Sequence, residues 1–105
     1  MENEWLPIGS VVILKGGNKP LMIYGRKQFN SRTGHEFDYV ACFYPEGNLL
    51  ADYNIFFNKE DIDKVLFKGY ECELEFEMRK ILILVEKLWH PPLKLNKVLG
   101  LVLVA

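Results

Sequence analysis

Glu71-Cys72-Glu73-Leu74-Glu75-Phe76-Glu77-Met78-Arg79-Lys80-Ile81-Leu82-Ile83-Leu84-Val85-Glu86-Lys87-Leu88-Trp89 can be read in two ways. Its opening residues alternate acid and apolar at period two, as a half-buried strand does. Across the whole stretch, however, Leu74, Met78, Ile81, Leu82, Val85, Leu88 and Trp89 recur at helical spacing. Seven matches over four turns outweigh a short alternation, and Glu75 and Arg79 stand at i,i+4 with favourable polarity. Pro91-Pro92 then stops the pattern. The reading is one long helix over residues 71–89.

Upstream the signals are those of strands. Ser10 to Leu14 is continuously apolar and β-branched, breaks at Gly16-Gly17-Asn18-Lys19-Pro20, and resumes as Leu21-Met22-Ile23-Tyr24, which predicts a hairpin. Gly25 marks a bulge or the end of the second strand. Asn30 to His35 is a loop, and Phe37 to Tyr44 is a third strand that stops at the turn Pro45-Glu46-Gly47-Asn48. Leu49 to Phe57 holds a weaker fourth strand ending in Ile55-Phe56-Phe57. Asn58 with Lys59-Glu60-Asp61 reads as a capped turn or two of helix, followed by a strand, Val65-Leu66-Phe67, closed by Gly69. The expected fold is α+β: a mostly antiparallel twisted sheet or partly open small β-barrel followed by one long C-terminal helix. It is a single domain, 1–105, made of a β-rich core (6–70), the helix (71–89) and an apolar tail (90–105).

Composition agrees with one core. The chain has 105 residues, half of them apolar and 13% aromatic, which is enough apolar surface to offset chain entropy. A formal charge of −1 gives no global field to draw it onto nucleic acid or anionic lipid. Met1-Glu2-Asn3-Glu4-Trp5 is acidic where a secretory signal is basic, so a cytoplasmic location is expected. The longest apolar runs, Ile81 to Val85 and Val98 to Ala105, fall well short of the ~20 residues that span a bilayer. The second run carries no charge, so the tail should be covered, as a strand along the domain's own sheet edge or along a neighbour's. The latter would be a route to a homo-oligomer.

No catalytic, metal or cofactor site is expected. His35 and His90 have no Cys, Asp or Glu at metal-ligand spacing, and Cys42 and Cys72, thirty positions apart, read as reduced, half-buried residues. A Cys42–His nucleophile pair is outweighed by the mid-strand setting of Cys42 among Ala41, Phe43 and Tyr44. Glu60, Asp61 and Asp63 lack the spacing of a calcium loop. Lys15-Gly16-Gly17-Asn18-Lys19 is followed by a strand where a phosphate-binding loop needs a helix. Lys15, Lys19, Arg26, Lys27 and Arg32, with Tyr24 and Phe29 between them, form a basic and aromatic cluster. Small barrels use such clusters on single-stranded nucleic acid. Sheet edges carry them to block pairing, and that explanation is preferred here.

A set of short motifs runs in order through the first two-thirds of the chain: Leu6-Pro7-Ile8-Gly9-Ser10-Val11-Val12, Lys15-Gly16-Gly17, Met22-Ile23-Tyr24-Gly25-Arg26, Asp38-Tyr39, Tyr44-Pro45-Glu46-Gly47, and Phe57-Asn58-Lys59-Glu60-Asp61-Ile62-Asp63-Lys64-Val65-Leu66-Phe67-Lys68-Gly69-Tyr70. In these the chain resembles a small Firmicute domain family of unknown function whose members are encoded beside LXG toxins in type VII secretion gene clusters. The resemblance implies a cytosolic accessory protein that binds and escorts or targets an LXG effector, or else an immunity protein that neutralises a cognate toxin. It carries over no site residues. The chain departs from the family pattern at its end, where Lys94 to Ala105 is apolar in place of a charged helix.

Overall fold

In the computed structural model, which describes residues 4–88, five strands and one long helix follow in the expected order. The strands are β1 (Val11–Leu14), β2 (Leu21–Asn30), β3 (His35–Phe43), β4 (Ile55–Phe57) and β5 (Ile62–Phe67), and the helix is α1 (Glu73–Leu88). The sheet is open and antiparallel, in the order β4-β3-β2-β1-β5, and with the helix after it gives the expected α+β fold. The apolar tail, His90 and Pro91-Pro92 lie outside the described residues.

The β1–β2 hairpin pairs Val11 with Met22 and Val12 with Leu21. β2 does not end at Gly25 but runs on to Asn30, with a shift of register between Ile23 and Gly25 that leaves Tyr24 as the extra, bulged residue. A Cβ on Gly25 would stand 2.7 Å from Val40 Cγ1, so the bulge accepts only glycine without displacing its neighbour. The bulge also changes which residues face the core. Ile23 opposes Ala41 before it and Arg26 opposes Tyr39 after it, which puts Arg26 on the same face as those buried side chains.

Asn58 starts a short 3-10 turn, Lys59–Asp61, where a brief capped helix was expected. Its N–H donates to the Asp61 carboxylate (2.8 Å), while its side-chain oxygen accepts from the Asp38 N–H of β3 (3.0 Å). β5 begins directly after that turn, three residues earlier than Val65.

The core is built from Trp5, Val12, Leu21, Ile23, Tyr39, Ala41, Phe57 and a single helical residue, Leu82. Trp5 precedes the first strand yet is almost fully buried, meeting Tyr39 edge to face at 5.4 Å. The entry segment is locked by Ser10, whose hydroxyl donates to Pro7 O (2.8 Å) and accepts from the Gly69 N–H (3.0 Å). Gly69 lies so close to the Ile8 carbonyl that an added Cβ would sit 2.2 Å from its oxygen. A side chain there would push the start of the helix away from the sheet.

Candidate functional site

α1 meets the sheet through an ionic face. Arg26, carried inward by the β2 bulge, donates through both terminal nitrogens to Glu75 (2.6 and 2.9 Å) and also to Leu6 O (3.1 Å). Glu75 accepts a third bond, from Arg79 Nε at 2.8 Å, and Arg79 pairs further with Glu71 and with Glu4. All three central side chains are about nine-tenths buried. Burial raises the pKa of Glu75, but the hydrogen bonds from Arg26 and Arg79 outweigh it and hold the carboxyl below its ordinary range. The expected i,i+4 pair is therefore present, as one edge of a buried bidentate network. One turn beyond Leu82, Glu86 accepts from the Trp5 indole N–H (3.3 Å) and pairs with Lys59 (3.3 Å), whose ammonium lies 4.0 Å from the centre of the Trp5 ring.

Glu75, Arg79, Leu82 and Glu86 follow one another at i,i+4,i+7,i+11, so they mark the face of α1 that points at the sheet. The apolar spacing that identified the helix lies on the other side. Leu74 is 80% exposed and Leu88 73%, with Met78, Ile81 and Leu84 between 40% and 55%. Of the residues that gave the sequence its helical period, Leu82 is buried and Val85 partly so. The helix is thus inverted relative to a usual amphipathic helix, with charges against the domain and an apolar stripe towards solvent. The segment before it adds Val65, Leu66, Phe67 and Tyr70, all at least half exposed or nearly so.

A cleft of about 710 Å³ opens beside the helix, lined by Glu4, Asp38, Tyr39, Lys59, Glu60 and Glu86 among others. Burial raises the pKa of Asp38, and burial pushes the Tyr39 hydroxyl up to about 12. Both groups hold the fold together: the Asp38 carboxylate accepts from the Lys59 N–H (2.9 Å) and the Tyr39 oxygen from the Leu6 N–H (2.8 Å).

The other residues singled out in the sequence are scattered. His35 is exposed at the start of β3 against Phe37, Cys42 is buried in β3, and Cys72 is partly buried just before α1; both cysteines are free thiols. Among the described residues no group of three His, Cys, Asp or Glu is placed to hold a metal. The basic cluster is dispersed: Arg26 is inside, Lys19 pairs with Glu46 (2.8 Å), Lys27 with Glu36 (2.8 Å), and Phe29 is buried. Asp61 serves the turn at Asn58. Among the described residues no helix is long and apolar enough to cross a membrane.

The model of one family, a domain of unknown function (DUF4176), matches residues 5–78. The chain belongs to the DUF4176 family. The DUF4176 match covers every strand, Trp5, Ser10, Gly69 and the Arg26–Glu75 pair, and ends at Met78, inside α1. Arg79, Leu82 and the distal half of the apolar stripe (Ile81, Leu84, Leu88) lie beyond it. No curated protein and no solved structure matches the chain.

The inward face of the helix was not legible in the sequence. Its key partner, Arg26, is 49 positions away from Glu75 and reaches it only because of the β2 bulge. The Gly25 signal allowed a bulge without saying what it would redirect.

Proposed function

We propose that this chain is a non-catalytic accessory protein that binds another protein through the outward apolar stripe of α1. Following its resemblance to the family encoded beside LXG toxins, the partner is an LXG-type effector of a type VII secretion locus, which this chain escorts or targets from the cytoplasm. The observation that carries the reading is the inverted helix. Five large apolar side chains, Leu74, Met78, Ile81, Leu84 and Leu88, face solvent along about 21 Å of helix. Covering them would contribute on the order of 5 kcal/mol. An apolar face of that kind, held rigid by the ion network beneath it, suits the insertion of a partner's amphipathic helix.

Coexpression tests the reading. The chain is produced with the LXG part or the toxin part of an adjacently encoded effector, each tagged separately. An escort copurifies stoichiometrically with the LXG part. Capture by the toxin part alone, with loss of toxicity, replaces escort by immunity, and capture by neither discards both.

A further inference from the structure

We propose that, in the absence of another partner, the α1 stripe is covered by a second copy of this chain in an antiparallel, twofold helix pair. This rests on the reading of α1 as a docking surface and names what occupies it first. The exposed Leu74, Met78, Ile81 and Leu88, with the partly buried Val85 among them, alternate at spacings of four and three, the a/d rhythm by which two helices interlock at a shallow crossing angle. The same rhythm makes the surface complementary to itself, with Ile81 at its midpoint, as a twofold interface requires.

Charge fixes the direction. Along the flank of the stripe Glu73 and Glu77 stand in the N-terminal half of α1, Lys80 beside the midpoint, and Lys87 in the last turn. Antiparallel pairing sets Glu73 and Glu77 of each copy towards Lys87 of the other, whereas parallel pairing sets each charge at the level of its own counterpart. The Glu77–Lys80 pair within one copy is 3.3 Å long with both side chains about 70% exposed, so both groups remain accessible for new pairing. Four exposed apolar side chains and part of Val85 per copy make a small interface, which places the dimer in the micromolar range, weak enough to yield to a tighter partner.

The full chain is tested by sedimentation equilibrium from 1 to 200 micromolar, a range set by roughly micromolar affinity. The expected result is conversion to twice the 12.3 kDa chain mass. Ile81→Glu enters the twofold interface twice and should weaken the dimer by about 100-fold or more, with an unchanged circular dichroism spectrum. In a Cys72→Ser background, Leu74→Cys should form a disulfide with Leu88→Cys of a second chain and not with itself. Three results overturn the proposal: a monomer across the range, a dimer that persists in folded Ile81→Glu, or preferential Leu74→Cys self-linkage. If the chain is monomeric but still binds the effector through α1, the dimer alone is refuted. Loss of effector binding in a chain that dimerises refutes only the docking function.

Discussion

Replacing Glu75 by Gln should cost about 3–5 kcal/mol of stability, because it removes the one carboxylate shared by two buried guanidinium groups. Glu75 accepts three charge-assisted hydrogen bonds, two from Arg26 and one from Arg79. Gln keeps the shape, but it withdraws the charge and turns an NH2 towards an N–H donor. Arg79 retains Glu71 and Glu4, whereas Arg26 keeps its hydrogen bond to the Leu6 carbonyl. For a domain of this size the loss corresponds to a fall in melting temperature on the order of 15–25 °C. Urea unfolding followed by circular dichroism measures it directly. The pH dependence gives a second readout. The folded-state pKa of Glu75 is depressed below its ordinary 4.5, so its contribution is fully present above that value and disappears as pH falls through the folded pKa. The variant should therefore show a shallower acid limb than the wild type. Replacing the pair by apolar residues of similar size, Arg26→Met with Glu75→Leu, should recover much of the loss, since it leaves fewer unpaired charges at the helix–sheet contact. A cost below about 1 kcal/mol for Glu75→Gln, with the acid limb unchanged, would refute the claim that the ion network seats the helix.

Other expectations concern the entry segment and the outward face. Ser10→Ala should destabilise by about 1–3 kcal/mol, as it leaves the buried Gly69 N–H without its acceptor; chemical denaturation checks it. Gly69→Ala should cost at least as much, since its Cβ would stand 2.2 Å from Ile8 O, and a melting temperature equal to wild type would contradict that packing. Tyr39→Phe should lose about 1 kcal/mol with the Leu6 hydrogen bond, and amide exchange at Leu6 should accelerate. Ile81→Glu should change monomer stability by no more than about 0.5 kcal/mol, because the side chain is already half in water.

Particular residues show which parts of this structure could be read in advance. The strands and turns were legible because Gly16-Gly17, Asn30 to Gly34 and Pro45 to Asn48 punctuate them locally, and the helix because its period extends over four turns. Orientation is a tertiary property. The apolar period of α1 located the helix correctly, but the face pointing inward was decided by Arg26 and by Trp5. Trp5 stands in an acidic, strandless N-terminal segment with nothing nearby to mark it as the centre of the core. The basic cluster failed as a surface for the same reason, since Arg26 faces inward and Lys19 and Lys27 pair with acids that lie distant in sequence or on the adjoining strand.

The central claim is that α1 is seated by its charged face and offers its apolar face to a protein. It is tested most directly by titrating a purified LXG-type effector, the partner proposed above, against the full chain as wild type, Ile81→Glu and the β5 control Lys64→Ala. The account predicts binding by the wild type and by Lys64→Ala, and affinity lower by about 100-fold or more for Ile81→Glu at unchanged melting temperature. Binding of folded Ile81→Glu at wild-type affinity would contradict it.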